Sequence, residues 1–260
     1  MLYTLIMKIL MLILASDGGK DNIYTKLQQI KRLYVHSYPE VDAYFYKADP
    51  NLETQHKIIG DTIYIKTEET YPNLWEKLLL ILKVFENKLD DYDFISRPNL
   101  STFIIMDRYL NHLQTLPKKM CCSGLQFYGG QPIPFPSGYL FTITPDIAHH
   151  IINNNIILNN IGIDDRCVGV ILRELNIGIT QFPFISVENP HIYETNSLTC
   201  MLEDDPNIFL IRIRHFLNYD TLFGTDVDDR AEKDLFIHNL LLKKFYGCTN
   251  GEIQEVYKIK

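Results

Sequence analysis

The hydrophobic pattern of the first half of the chain alternates between short apolar runs and segments with helical spacing. Apolar or alternating runs predict buried strands, whereas apolar residues three and four positions apart predict helices. Strands are predicted at 9–14, 41–46 and 92–95, with a strand or hairpin over 54–65, and helices at 22–34, 73–87 and 103–116. This alternation predicts an α/β fold in a single domain, with a mixed, mostly parallel sheet sandwiched by helices. Ligands of such sheets bind beyond the carboxyl ends of the strands, so the loops after 14, 65 and 95 should converge on one site.

The second half has a less regular pattern. The region 120–138 contains Gly129, Gly130 and three prolines, which predict a loop. A strand-like run follows at 156–163 and a last strand at 208–213, with helices predicted at 147–154, from the end of the Asp164-Asp165 turn to 176, and at 228–246. Arg212 and Arg214 alternate on the last strand, so both should point to the same face of it.

Composition and charge narrow the class of protein. With 46% hydrophobic residues in 260, the chain can build a large core. A formal charge of -7 argues against a nucleic-acid partner, which favours a basic surface. Five cysteines without ligand-like spacing indicate reduced thiols and a cytoplasmic protein. The apolar start is shorter than the roughly 20 residues of a membrane span, so we expect a buried strand and no span.

The most informative polar feature is the pair Asp164-Asp165, between the apolar run and a helix-like segment. If the pair lies on a strand, its side chains point to opposite faces, so only one can face a given pocket. The other is then placed to cap the helix, whose start favours negative charge. Two interpretations stay open: a general base held at a helix start, or an ordinary Asp-Asp loop with a cap.

Four segments carry a family resemblance. They are, in chain order, Tyr71-Pro72-Asn73-Leu74 with Lys77, then Tyr92-Asp93-Phe94, Pro136-Ser137-Gly138-Tyr139 and Asp164-Asp165. This order resembles inverting β-1,3-glycosyltransferases of the galactosyltransferase and fringe type, which have a GT-A fold, and the likeness covers roughly 7–175. The Asn-, Ile-, Lys- and Tyr-rich composition is also similar to short glycosyltransferases of large DNA viruses, which would place the protein in the host cytoplasm.

The resemblance implies roles for individual residues. Asp165 matches the family's second acid and would be the general base, with Asp164 as the fallback. Ser137 and Gly138 match an acceptor-side segment, which the loop 120–138 would continue. Ser16 and Asp17 follow the first strand, where the family binds the nucleotide base; Asp17 would accept from a uracil-like imide, or Ser16-Asp17 would simply form a turn.

The diphosphate site departs from the family. An Asp-x-Asp motif should follow the strand at 92–95, but the matching residues are Asn99-Leu100-Ser101. Neutral oxygens hold a divalent ion weakly, so we predict that no metal is bound, with Mn²⁺ on other acids as the alternative. Cationic side chains would then stabilise the leaving group. The candidates are Lys77, Arg97, Arg212 and Arg214; Lys77 could instead be an exposed helix lysine, and the last two a solvated strand face.

Together these features predict an inverting hexosyltransferase that moves a sugar from a nucleotide diphosphate, a UDP-sugar, to a hydroxyl of a glycan or glycoprotein. Residues 1–117 would form the nucleotide-binding half and 118–260 the acceptor and catalytic half. Asn99 and Ser101 would remain part of the donor site. The alternative is a catalytically inactive protein that binds a nucleotide sugar or a glycan and has lost its Asp-x-Asp motif.

Overall fold

The computed structural model describes residues 7–17, 22–130, 132–153, 163–187, 197–213 and 227–258. The chain forms two compact units, each built from separate segments. The first unit contains Met1–Ser16, Tyr38–Asn99 and Leu116–Phe182, and the second contains Asp17–Ser37, Leu100–Thr115 and Pro183–Lys260. The continuous halves 1–117 and 118–260, with their separate functional roles, stay a prediction.

The first unit is built on an eight-stranded sheet. Its described strands are β1 (Ile9–Leu14), β2 (Val41–Ala48), β3 (His56–Ile59), β4 (Thr62–Ile65), β5 (Phe94–Pro98), β7 (Cys122–Phe127), β8 (Phe135–Ile143) and β9 (Ile179–Thr180). They are ordered β3-β4-β2-β1-β5-β8-β7-β9. The pairs β1–β2, β1–β5, β2–β4 and β7–β9 are parallel, and β3–β4, β5–β8 and β7–β8 are antiparallel. The predicted mixed, mostly parallel α/β sheet is confirmed.

Strand β1 occupies the centre of this sheet. Leu10 and Leu12 pack into a core formed with α2 (Leu74–Val84), α4 (Pro145–Asn153) and α5 (Asp164–Glu174). The alternate residues of β1, on its other face, are also fully buried, as expected of a central parallel strand. The prediction of a buried strand at 9–14 is therefore confirmed. In the part of the chain that the structure describes, no helix has the length and apolarity needed to cross a membrane.

The second unit combines helices with a small sheet. Its helices are α1 (Ile23–Val35), α3 (Met106–Gln114), α6 (Ser197–Asp204), α7 (Val227–Tyr246) and α8 (Asn250–Tyr257). Its described strands are β6 (Thr102–Ile104), β10 (Phe184–Val187) and β11 (Leu210–Ile213); β10 pairs with β11 in parallel, and β11 with β6 antiparallel. The Tyr246 hydroxyl links α7 to this sheet, because it donates to the Ile104 carbonyl and accepts from the Met106 amide, each at 2.8 Å.

The structure corrects several predicted elements. The region 120–138 is mostly strand, not loop, because it contains β7 and the start of β8. It resembles a loop in sequence because a bulge interrupts the pairing between Gly124 and Gln126, and a Cβ on Gly124 would lie 3.0 Å from the Pro136 Cβ. The predicted helix 103–116 starts later, since Thr102–Ile104 pairs as β6. Most of the strand-like run 156–163 lies outside the described residues.

Candidate functional site

The site forms where the parallel strands of the first unit end. Strands β1, β2 and β5 are parallel, so their carboxyl ends lie at one edge of the sheet. Strand β8 is antiparallel to β5 and therefore begins at this edge, with Leu140 opposite Pro98. Just beyond it, the Asn99 amide donates to the Tyr139 carbonyl at 2.9 Å. As predicted for such sheets, polar and charged side chains gather here.

A buried ion pair forms the centre of the site. Arg97 Nη2, at the end of β5, lies 2.5 Å from Asp164 Oδ2 at the start of α5, and both side chains are only 2% exposed. Arg97 Nη1 donates to the Gly138 carbonyl at 2.5 Å and to Asn99 Oδ1 at 2.9 Å. Burial raises the pKa of Asp164, and the Arg97 guanidinium opposes the rise. Each charge offsets the cost of burying the other.

Asp165 is held next to this pair by the backbone of β8. Its Oδ2 accepts from the Gly138 amide at 3.0 Å, and its Oδ1 accepts from the Arg166 amide at 2.8 Å. Burial raises the pKa of Asp165, and the neighbouring Asp164 carboxylate raises it further. Position 138 has little room for a side chain, because an added Cβ would lie 3.2 Å from both Asp165 Oδ2 and Arg97 Nη1. The structure thus brings the predicted residues Arg97, Gly138, Asp164 and Asp165 together.

The predicted division of roles within the acidic pair is wrong in its geometry. Helix α5 begins at Asp164 itself, and the residue before it, Ile163, makes no side-chain cap. The pair therefore occupies the first turn of a helix, not a strand with opposite faces. Asp164 contacts Arg97, and Asp165 contacts Gly138, whose carbonyl binds the same guanidinium. Both acids belong to one cluster; Asp164 pairs with Arg97, and its Oδ1 also accepts from the Asp165 amide at 2.9 Å in the first turn of α5.

Close packing of α5 against β8 brings the acids to this position. A Cβ on Gly169, in the middle of α5, would lie 2.6 Å from Phe135 Cβ and 2.7 Å from the Pro134 carbonyl oxygen. Only glycine allows the helix to approach the strand this closely. The sequence predicted the helix but not this requirement, because a glycine inside a helix is usually only a weak spot.

Lys77 is fully buried, so its interpretation as an exposed helix lysine is wrong. Its Nζ donates to both carboxylate oxygens of Glu69, at 2.8 and 2.9 Å, and to the Ala15 carbonyl at 3.3 Å. Glu69 also accepts from the Ala48 amide at 3.0 Å. Burial lowers the pKa of Lys77, and Glu69 opposes this. The pair therefore links α2 to the residue that follows β1 and to the last residue of β2.

The other predicted donor and acceptor residues have varied surroundings. Ser16, two residues after the end of β1, is half-buried, and Asp17 is exposed and starts the second unit. Ser137 is buried in β8, and its Oγ accepts from the Tyr139 amide at 3.3 Å within that strand.

Ser101 and Arg212 lie together in the second unit. Arg212 Nη1 donates to the Ser101 carbonyl at 3.1 Å and also to the Ser101 hydroxyl. Arg212 is buried, so a solvated strand face is the wrong description of this residue. Arg214 lies outside the described residues.

The structure adds Tyr71 and Arg166 to the site. Tyr71 is 68% exposed; its partial burial raises its pKa, and the Asp165 carboxylate adds to the rise. The Arg166 guanidinium lies 5.8 Å from the Phe135 ring centroid and is half-exposed. Both residues border the quoted motifs, Tyr71 as the first residue of its segment and Arg166 directly after the acidic pair. That adjacency is the signal that could have found them.

A metal site is not visible in the described ranges, where no cluster of three or more His, Cys, Asp or Glu side chains is arranged to hold an ion. His149 Nε2, on α4, lies 3.2 Å from Asp90 Oδ1, in the helical turn before β5. Asn99 Oδ1, a predicted substitute ligand, accepts from Arg97 Nη1. A guanidinium at this oxygen disfavours a second cation there.

Comparisons with known proteins give limited information. No protein-family model matches the chain, and no curated protein matches it in sequence. A solved structure described as "Crystal structure of a glycosyltransferase involved in the glycosylation of the major capsid of PBCV-1" is similar at a TM-score of 0.49 and 10% sequence identity, over 87% of this chain and 98% of that one. A likeness this remote supports no inference about activity.

Proposed function

We propose that the protein is an inverting glycosyltransferase that moves a sugar from a nucleotide diphosphate, a UDP-sugar, to a hydroxyl of a glycan or glycoprotein. The observation that carries this proposal is the Asp165 carboxylate, held by the Gly138 amide beside the buried Arg97–Asp164 pair at the carboxyl ends of the strands. The family resemblance of these segments, stated above, supports the same activity.

Asp165 would act as the general base. Each of its oxygens accepts one backbone hydrogen bond, which fixes the carboxylate and leaves further lone pairs available. A raised pKa makes it a better proton acceptor than an ordinary aspartate. As Asp165 takes the proton, the acceptor oxygen attacks the anomeric carbon from the face opposite the diphosphate. The bond to the diphosphate breaks, its electron pair leaves with the phosphate, and the configuration inverts.

The leaving diphosphate needs positive charge. Arg166 is next to Asp165 and half-exposed, so it is the best-placed cation of the first unit. Lys77 would act through its contacts with Glu69 and the Ala15 carbonyl, which position the loop after β1 where Ser16 and Asp17 would bind the base. Arg97 and Asn99 would border the phosphates. Ser101, Arg212 and Arg214 stay candidates for the same role, and Ser137 and Gly138 would face the acceptor.

One observation favours the alternative, a binding protein without activity. Arg97 and Lys77 both have carboxylate partners, Asp164 and Glu69, so their charges are already compensated. Such a protein would bind the nucleotide sugar through the same loops without stabilising the leaving group.

Calorimetry with UDP- and GDP-sugars, followed by NMR of any product, separates these functions. Binding of a UDP-sugar and a product of inverted anomeric configuration are the results expected of the enzyme. Binding without transfer or donor hydrolysis would favour the binding protein. A product of retained configuration would contradict the inverting mechanism. No binding of any nucleotide sugar would contradict the transferase and leave only a glycan-binding protein as the alternative.

A further inference from the structure

The first unit contains a cavity along the C-terminal half of α5, apart from the site described above. Its volume is about 270 Å³, and Gln126, Arg173, Asn176 and Gly178 contribute to its lining. It lies where the edge of the sheet is open, because β9 pairs with β7 only at Cys122 and Ser123 among the described residues. None of these cavity residues takes part in the proposed transfer chemistry.

The lining has the mixed character that a sugar requires. Arg173 offers a guanidinium and Gln126 and Asn176 offer carboxamides, all able to bond hydroxyl groups. Pro134 and Leu172 add apolar surface, which suits the C–H face of a sugar ring. The described lining contains no carboxylate, so the cavity is poorly suited to a cation. Its volume is just below the roughly 300 Å³ at which small-molecule pockets begin, which favours one monosaccharide unit over a whole nucleotide sugar.

An exposed aromatic ring lies next to the cavity. Tyr128 is 55% exposed, and its hydroxyl accepts a hydrogen bond from Gln126 Nε2 at 2.9 Å. A tyrosine combines a large apolar face with a polar tip, and ligand pockets are lined predominantly by hydrophobic and aromatic side chains. The bond to Gln126 links this ring directly to a side chain of the lining.

The cavity is separate from the proposed catalytic base but shares a helix with it. Asp165 and Arg173 are eight positions apart on α5, or about 12 Å at 1.5 Å per residue. A sugar in the cavity is therefore too far away to receive the transferred group. We propose that this cavity is a saccharide subsite that binds a second sugar unit of the acceptor glycan. The assignment to the acceptor rests on the proposed glycosyltransferase function; the binding of a sugar does not.

Gly178→Phe tests the subsite by occupying it. A Cβ added at Gly178 meets nothing within 4 Å, so the substitution should fold. Gly251→Phe is the matched control, since the nearest contact of its Cβ is Thr249 Oγ1 at 3.7 Å and it lies on α8. Arg173→Ala removes one polar group of the lining, and Glu174→Ala, an exposed neighbour on α5 outside the cavity, controls for it.

The measurement is saturation-transfer NMR without any nucleotide sugar, using galactose, glucose, N-acetylglucosamine, xylose and fucose as probes. At least one sugar should bind; Gly178→Phe should abolish its signal, and Arg173→Ala should weaken its affinity about tenfold, as loss of a charged hydrogen bond does. Both controls should match the unsubstituted protein. No binding of any probe, or equal binding in Gly178→Phe, would overturn the subsite. Sugar binding that follows these expectations in a protein without donor binding would reject the transferase function and keep the subsite.

Discussion

Two clusters of buried ionisable groups, one in each unit, differ in the partners that surround their charged groups. In the first unit, Arg97 and Asp164 form an ion pair with both side chains 2% exposed, and Asp165 lies beside it. In the second unit, Lys31, Arg212 and His238 are buried together. The first cluster is built on an ion pair at the end of a parallel sheet, whereas the second places the basic side chains of Lys31, Arg212 and His238 in one buried region.

Neutral oxygens are prominent partners in the second cluster. Lys31 Nζ donates to the Thr102 carbonyl at 2.5 Å and to the Tyr34 hydroxyl at 3.3 Å. Burial lowers the pKa of Lys31 from 10.5 to about 7, and Arg212 adds to the effect. Burial also lowers the pKa of His238, on α7, from 6.5 to about 3, and Lys31 contributes to that shift. Asp234 is buried one turn earlier on the same helix.

The contrast indicates that the first cluster belongs to a functional site and the second to the core of its unit. Opposite charges offset part of the cost of burying Arg97 and Asp164, and Asp165 lies directly beside the pair in the first turn of α5. In the second cluster, by contrast, Lys31 and His238 shed protons more readily than in water, and they fit a polar core better than a catalytic site. The same degree of burial thus accompanies different roles, and the following changes test that difference.

The largest effect should come from Asp165→Asn. This change removes the proposed base but keeps an oxygen that can accept from the Gly138 amide. Turnover should fall by about 10²- to 10⁴-fold, the usual contribution of proton transfer, while calorimetric affinity for the donor stays nearly unchanged. Glu174→Gln, an exposed change on the same helix, is the control. Turnover retained in Asp165→Asn would refute the assignment of the base.

The next effect concerns the stability of the two clusters. Arg97→Met leaves Asp164 buried without its cation, so the free energy of unfolding should fall by about 3–5 kcal/mol. Lys31→Met removes a buried cation from a cluster that already contains Arg212, so stability at pH 7 should be unchanged or higher. Urea denaturation of both variants measures the difference.

A double variant supplies the control for Arg97→Met. Adding Asp164→Leu removes the stranded carboxylate and should recover much of the lost stability, because apolar residues often replace a buried ion pair at little cost. If the single and double variants are equally unstable, loss of packing and not the stranded charge causes the effect. Equal losses in Arg97→Met and Lys31→Met would remove the contrast between the clusters.

The strands and helices of the first unit could be predicted because each has a clear apolar period. The runs that became β1 and β2, and the helical spacing of α2, are local signals that match their burial. The loop prediction for residues 120–138 was wrong because glycine and proline near a bulge look like a loop in sequence. In the structure, Gly124 is needed for the close approach of Pro136. Strand β6 was missed because its partner, β11, lies far along the chain.

The site was predictable in its residue types but not in its pairings. Family motifs pointed to Gly138 and Asp165, and the missing Asp-x-Asp acids pointed to Arg97 as a cation; the structure brings these three residues together. No local pattern shows that Lys77 pairs with Glu69, or that Arg212 bonds Ser101 across 111 residues. Those contacts depend on tertiary packing, which decides whether a surface-like lysine or arginine is buried.

A smaller effect should appear in the pH dependence of stability. The folded pKa of Lys31 is lowered to about 7 from 10.5, so between these values the unfolded state binds more protons than the folded state. The free energy of unfolding should therefore rise from pH 7 to pH 9, by at most about 1.4 kcal/mol per pH unit for this one group. Lys31→Met should flatten the rise in urea denaturation. The same slope in the variant would show that Lys31 is not its source.

The smallest effect is expected from removal of metal ions. Transfer should be little changed by a chelator, because the positions that match the family's acidic ligands hold Asn99 and Ser101, whose oxygens already face guanidinium groups. Asn99 Oδ1 accepts from Arg97 Nη1, and both Ser101 oxygens accept from Arg212. A divalent ion at these oxygens would meet positive charge in place of the carboxylates that hard cations need. The measurement compares initial rates with and without EDTA, and with Mn²⁺ added back. Activity that EDTA abolishes and Mn²⁺ restores would show that other acids bind a metal, and that Arg97 and Arg212 do not replace its charge.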